Sequence, residues 1–404
     1  MGDSSEQPIR VLAADDSAVM RGVMRKLFAI DGDGRVSRLP PMVLCGVAQD
    51  GVECLEAVAR LKPDVLVLDL EMPRLNGLDV LDRLRNANPG LPVIMCSSYT
   101  ERGARSTLEA LARGAADYVM KPSEQRDLAT ALQSLAGQLL PKIAALAKGR
   151  KRKDAAKTAA AESAGTEEAT PRGGAPIEVV VIGLSTGGPS ALEQMLPRLP
   201  RDFPVPVLIV QHMPKLFTGA LAERLDRCCA LRVAQAHDSA TVLPGTIWLA
   251  PGDSHMEVAP RKMGFGPGDE MASGRAARVK LHQRALLNHC RPSVDYLFHS
   301  AARMYGAGVL ALMMTGMGAD GLDGARAVHE AGGVVLAQDE ATSAVWGMPG
   351  RVAEAGIASA VLPLTAIASE LKQRVNAGQA MRQGCGERVV STAASRRGGM
   401  HGLL

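Results

Sequence analysis

Between residues 8 and 135 short, nearly unbroken apolar runs alternate with amphipathic stretches. The runs are IRVLAADD, MVLCGVAQ, DVLVLDLEMP, PVIMCSS and ADYVMKP, and each is followed by a segment patterned as a helix, the first near Val19 to Phe28. Runs this short and this apolar fit strands buried on both faces, as in a parallel sheet covered by helices on either side. The expectation is a doubly wound (βα)5 domain.

The same alternation resumes after Ile177: IEVVVIGLS, VPVLIVQHMP, GTIWLAPGDSHMEV, GVLALMMTGMGADG and GGVVLAQDE, separated by helical patterns that include one over Val294 to Tyr305. It predicts a second α/β domain over 177–376, three-layered with a mostly parallel sheet and interrupted by a Gly-rich insert near 263–273. From Ala144 the chain turns to Ala, Lys, Glu, Thr and Gly. Such a composition buries too little to offset the entropy of ordering, so 136–176 is expected to be a flexible linker and its basic cluster, Lys148 to Lys153, a solvated one. The tail, 377–404, is expected to be unstructured.

Length agrees with two domains, since 404 residues exceed what one core serves. A net charge of +4 and only 3% aromatic residues give no support to nucleic acid as a partner. No apolar run is long enough to span a bilayer, and MGDSSEQPIR lacks a signal peptide's apolar stretch, so direct membrane insertion is not expected and the location is read as cytoplasmic. The seven cysteines form no C-x-x-C pair, which reads as reduced, mostly structural thiols with neither disulfides nor a zinc site.

In the first domain Asp15, Asp16 and Asp69 fall at the carboxyl ends of predicted strands, where ligands bind in an open parallel sheet. Three converging carboxylates call for a hard cation such as Mg²⁺. Ser97 and Lys121 reach the same rim, and a hydroxyl and an ammonium facing a metal-bound carboxylate suit a phosphoryl site. These residues resemble a response-regulator receiver. That resemblance implies phosphorylation of Asp69, Mg²⁺ held by Asp15, Asp16, Asp69 and the carbonyl of Glu71, a switch pair of Ser97 and Tyr118, and a phosphate contact from Lys121.

In the second domain VVVIGLSTGGPSALEQML runs from a strand through a Gly-rich turn into a helix. A phosphate-binding P-loop would need a lysine after the last glycine, and a dinucleotide fingerprint would need G-x-G; neither is there. Gly183 to Gly187 does read G-x-S-x-G at a strand-to-helix junction, the form of a nucleophile elbow, although a serine N-cap in a Gly-rich turn also fits. A nucleophilic serine needs a base and the base an orienting acid. His212 and Asp320 follow predicted strands and share the rim with Ser185; His255 is the competing base.

Together GLSTGGPSAL, VQHMP, APGDSHMEV, RPSVDYLF and TGMGADG resemble the catalytic domain of the chemotaxis protein-glutamate methylesterases, and a receiver in front matches that family's domain order. The resemblance implies Ser185 as nucleophile, His212 as base, Asp320 as the acid orienting it, and supporting roles for Thr186 and for the Met317 backbone N–H at the oxyanion. It also implies a phosphorylation-activated hydrolase acting on glutamyl methyl esters and glutamines of chemoreceptors. A chemotaxis histidine kinase would be the phosphodonor, and no cofactor is expected in the catalytic domain. The rival reading, a transcriptional regulator, would need a helix-turn-helix after the linker.

Overall fold

The structure is a computed structural model that describes residues 7–31, 39–122, 128–159, 175–261 and 277–377. The first domain contains β1 (Ile9–Ala14), α1 (Ala18–Asp31), β2 (Met42–Ala48), α2 (Gly51–Leu61), β3 (Val65–Asp69), α3 (Gly77–Ala87), β4 (Val93–Ser97), α4 (Glu101–Ala112), β5 (Asp117–Met120) and α5 (Leu128–Ala159). Its sheet has the order β2-β1-β3-β4-β5 with parallel pairs throughout. The helix starts are set by local capping: Asp50 accepts from the Val52 and Glu53 N–H groups, and Thr100 from that of Gly103.

The expected linker is ordered over its first part. Helix α5 continues past residue 136 to Ala159. The reason is one apolar face: Leu139, Leu140, Ile143, Leu146 and Ala147 recur at helical spacing and are buried in the receiver core with Leu135. Averaged composition conceals such a stripe because the lysines and arginines of the other faces dilute it. Residues 160–174, the insert residues 262–276 and the tail from 378, with the expectations that fall on them, lie outside the described residues.

The second domain contains β6 (Val179–Leu184), α6 (Gly188–Met195), β7 (Val207–Gln211), α7 (Lys215–Cys228), β8 (Arg232–Gln235), β9 (Thr241–Val242), β10 (Thr246–Leu249), β11 (His255–Pro260), β12 (Ala277–His282), α8 (Val294–Tyr305), β13 (Val309–Met313), α9 (Leu322–Glu330), β14 (Val334–Gln338), α10 (Met348–Glu354) and β15 (Ala360–Leu362). A last helix, α11, covers 364–377. The main sheet, β15-β14-β13-β6-β7-β10-β8, is parallel. The segment read as one strand, GTIWLAPGDSHMEV, divides: β10 joins the main sheet, whereas β11 enters a separate antiparallel sheet, β11-β12-β9.

The domains pack against each other. Helix α4 lies on α6 and α7. Tyr118 stacks on Phe217 with ring centroids 4.7 Å apart and planes at 7°, and Ser190 Oγ donates to the Leu111 carbonyl at 2.8 Å.

Candidate active site

The central strands β13, β6 and β7 are adjacent, and each delivers one polar residue beyond its carboxyl end. Ser185 follows β6 directly. Its N–H donates to the Thr315 carbonyl at 2.9 Å, and its carbonyl accepts from Gln211 Nε2 at 2.9 Å. Gly187 then takes φ +79° before α6 begins, a conformation that a residue with a Cβ resists. At Gly316 a Cβ would sit 2.9 Å from that of Ser185, so the facing turn must be bare for the serine to fit. The Ser185 side chain is half-buried and its Oγ makes no hydrogen bond among the described residues.

His212 follows β7, and its Nε2 lies 2.8 Å from Asp320 Oδ2. Asp320 is 3% exposed and accepts three further bonds, from Asn288 Nδ2 (2.8 Å), Ser293 Oγ (2.6 Å) and the Val294 N–H (2.7 Å). Burial alone would raise this carboxyl, yet the His212, Asn288 and Ser293 bonds outweigh it and hold Asp320 below the usual carboxylate range. Burial would likewise lower His212, but the bonds to Asp320 and Cys290 prevail and push the imidazole up to about 9. The two directions agree, because each group favours the charged form of its partner. With Nε2 committed to Asp320, Nδ1 faces away from the acid and is hydrogen-bonded with Cys290 Sγ at 3.6 Å.

His255, the competing base, belongs to the support. It is fully buried, its Nε2 pairs with the Ala285 carbonyl at 3.1 Å, and its Nδ1 accepts from the Ser293 N–H at 3.2 Å. Thr186 is also placed differently from a simple neighbour of the nucleophile. Its Oγ1 donates to Asp117 Oδ2 of the first domain at 2.6 Å, while its carbonyl accepts from Thr315 Oγ1 at 2.8 Å. Met317 is 37% exposed on the turn after β13, which the loop before α10 braces through Gly316 N–H to the Val345 carbonyl (3.0 Å) and Gly347 N–H to the Gly316 carbonyl (3.0 Å).

In the first domain Asp15, Asp16 and Asp69 place carboxylate oxygens within 4.8 Å of one another. Lys121 Nζ reaches Asp69 Oδ2 at 2.7 Å and Asp15 Oδ2 at 3.0 Å. Burial, and then the Asp15 charge, push Asp69 up to about 6 against the pull of Lys121. Asp15 Oδ2 is buried, and the Lys121 ammonium 3.0 Å away is its single polar partner among the described residues. Three carboxylates against one ammonium leave excess negative charge, which fits a hard divalent cation. Glu71 is exposed, its side chain 3.7 Å from Arg102. Ser97 is buried and accepts from Thr107 Oγ1 at 2.7 Å.

Two family descriptions match the chain: CheB methylesterase over residues 180–371, and response regulator receiver domain over 11–133. A protein-glutamate methylesterase/protein-glutamine glutaminase of Trichodesmium erythraeum is 39% identical over 91% of this chain and 99% of that protein. One from Pseudomonas aeruginosa, bearing the same name with the number 2, is 41% identical over 95% of this chain and all of its own length, 100%. The chain belongs to the protein-glutamate methylesterase/protein-glutamine glutaminase family. Among solved structures, the catalytic domain of the Thermotoga maritima CheB methylesterase is 40% identical, covers 49% of this chain and 98% of its own, and superposes with a TM-score of 0.45.

Within this chain the fold brings His212 to Asp320 and sets both beside the Ser185 turn, and it gathers the three receiver carboxylates, two of them paired with Lys121. Sequence reading missed Asn288, Ser293, Cys290 and Asp117. RPSVDYLF carries part of the family resemblance, but nothing in it announces that Ser293 and the Val294 N–H converge on Asp320. Asn288 stands at φ +52° in a loop, and only that loop's path carries its amide to Asp320.

Proposed function

We propose that this chain hydrolyses γ-glutamyl methyl esters, and deamidates glutamines, on the cytoplasmic helices of chemoreceptors, under control of phosphorylation at Asp69. The observation that carries the catalytic half is the His212–Asp320 pair at 2.8 Å beside a serine on a strand-to-helix turn. Ser185 Oγ attacks the ester carbonyl as His212 Nδ1 takes its proton. The imidazolium, steadied by Asp320, returns the proton to the departing methoxide. A water then releases glutamate with the same nitrogen as base. The N–H groups of Thr186 and Met317 are the proposed oxyanion donors, each worth about 3 kcal/mol in the barrier.

In the receiver, Asp15, Asp16, Asp69 and the Glu71 carbonyl would hold Mg²⁺, which supplies charge neutralisation for phosphoryl transfer to Asp69. A histidine kinase is the proposed donor. Lys121 would follow the phosphoryl oxygens, Ser97 would turn from Thr107 toward them, and Tyr118 would leave Phe217. The stack and the Asp117–Thr186 bond join β5 of the receiver to α7 and to the residue after the nucleophile, which supports a receiver that restrains access until it is phosphorylated. Among the described residues no helix is long and apolar enough to cross a membrane, consistent with action from the cytoplasm.

Methanol release from methylated receptor membranes tests the reading. Ser185→Ala should abolish release while leaving phosphate incorporation intact, and retention of more than a few per cent of the rate would remove Ser185 from its role. A catalytically dead binding module would give no acyl-enzyme burst with an activated ester.

A further inference from the structure

Cys290 lies on the loop between β12 and α8, 78 residues from His212 in sequence, and its Sγ stands 3.6 Å from His212 Nδ1. The other ring nitrogen, Nε2, meets Asp320 at 2.8 Å. His212, Cys290 and Asp320 each offer a ligand atom within 4.8 Å of the others. A zinc ion with bonds of about 2.3 Å to sulfur and 2.0–2.1 Å to nitrogen sets tetrahedral ligands roughly 3.5 Å apart. The Sγ–Nδ1 separation is that edge. A histidine that ligates through one nitrogen characteristically donates from the other to a carboxylate, which fixes its ring, and Asp320 already occupies that position.

The loop is not free to drift from this geometry. Cys290 and Leu287 exchange backbone bonds at 2.9 and 3.2 Å, Asn288 Nδ2 bonds both Asp295 (2.7 Å) and Asp320 (2.8 Å), and Arg291 Nε bonds Asp253 at 2.8 Å. Asp320 therefore positions the imidazole from one side and, through Asn288, the cysteine loop from the other. Cys290 is half-buried, and 283–289 before it are exposed, so an ion from solvent can reach the pair.

We infer that Cys290 Sγ and His212 Nδ1 form a site for a borderline-soft divalent ion, Zn²⁺, with Asp320 as the outer carboxylate and water completing the coordination, and that occupancy inhibits the enzyme. Binding displaces the thiol proton and the proton carried on Nδ1, and occupies the Nδ1 lone pair that must receive the proton of Ser185. The receiver cluster does not compete for such an ion on equal terms, because its donors are all oxygen. The inhibitory consequence rests on the proposed hydrolase mechanism, whereas the binding does not.

Co²⁺ serves as the spectroscopic probe, added to the reduced full-length protein in the presence of Mg²⁺. A thiolate-to-cobalt charge-transfer band is expected in wild type and in Cys228→Ser, and lost in Cys290→Ser; His212→Gln should weaken Co²⁺ binding at least about tenfold, the lower bound for loss of an outer-shell partner. Circular dichroism of each variant excludes unfolding as the cause. Zn²⁺ should inhibit hydrolysis of an activated ester in wild type, reversibly on chelation, and Cys290→Ser should need at least about tenfold more Zn²⁺ for the same fractional inhibition. A missing band in wild type, or an unchanged one in folded Cys290→Ser, overturns the site. A band lost with Cys290 in an active enzyme that Zn²⁺ does not inhibit overturns its inhibitory role. Should no ester hydrolysis be found at all, the band still decides the site while the hydrolase reading fails separately.

Discussion

His212 meets Asp320 through Nε2, and that choice sets the pH behaviour of the site. Its imidazole is pushed up to about 9, so near neutrality most molecules hold the proton that a base must lack. The expected kcat/KM for an activated ester therefore rises with pH from 6.5 toward about 9, up to about tenfold per unit below the pKa. A rate flat across that interval would place the base elsewhere. Stability runs the other way: a raised histidine pKa contributes stability fully below 6.5 and loses it as pH climbs through about 9. Asp320, held below 3.8, contributes above that value and loses its part as pH falls beneath it. Asp69 gives a second residue-scale prediction. Raised to about 6, it keeps a proton at pH 5 that Mg²⁺ must displace, so Mg²⁺ should raise the melting temperature more at pH 7 than at pH 5. Asp69→Asn should abolish phosphate incorporation and flatten that difference; equal shifts at both pH values in wild type would rule out Asp69 as the titrating ligand.

At the scale of elements, β5 joins α4 in the contact between domains, and α5 braces β5 from within the receiver. Asp117, 5% exposed, accepts from Thr186 Oγ1 at 2.6 Å and pairs with Lys142 Nζ of α5 at 2.9 Å. Lys142 also donates to the Tyr118 carbonyl at 2.7 Å and lies 5.2 Å from the centre of the Tyr118 ring, whose other face meets Phe217. One charged group thus ties the receiver to the residue after the nucleophile. A hydrogen bond to a charged group is worth about 1.5–3 kcal/mol, so Asp117→Ala should raise the unphosphorylated rate toward receptor substrate roughly tenfold or more and shrink the gain from phosphodonor. An unchanged basal rate in the folded variant would mean this contact does not restrain the enzyme. Composition could not have located the lever, since α5 was read as linker from residue 136; its burial stripe, Leu139 to Ala147, is visible only when the positions are counted at helical spacing.

For the whole molecule the interface has a direct consequence. Receiver elements α4 and β5 cover α6, α7 and the Ser185 turn, so separating the domains should expose the site. Because α5 is ordered to Ala159, the break belongs in the stretch beyond it rather than inside the helix. A fragment beginning at Ala175 should hydrolyse receptor esters faster than the unphosphorylated full chain and be indifferent to phosphodonor. A shift from about 1% to 99% open requires roughly 5.5 kcal/mol, within reach of one stacked aromatic pair, one charged hydrogen bond and the α4 contacts. A folded fragment no faster than the intact protein would exclude restraint by the receiver.

The sequence by itself determined the elements and the rims. Fully apolar runs made parallel strands, and polar residues at their carboxyl ends had to converge because a parallel sheet puts all those ends on one side. That logic assigns Ser185, His212, Asp320, Asp15, Asp69 and Lys121 to strand ends, and in the structure each follows or closes a strand of its sheet. It did not place Ser293 and Asn288 on Asp320, turn His255 inward to Ser293, carry Cys290 to His212 Nδ1, or set Asp117 against Thr186. Each of these is a side-chain meeting across loops or domains, fixed by backbone paths and packing that no local period encodes. Which nitrogen of His212 faces the acid, and which is left for the serine, was likewise decided only when β7, β13 and the loop before α8 were brought together in three dimensions.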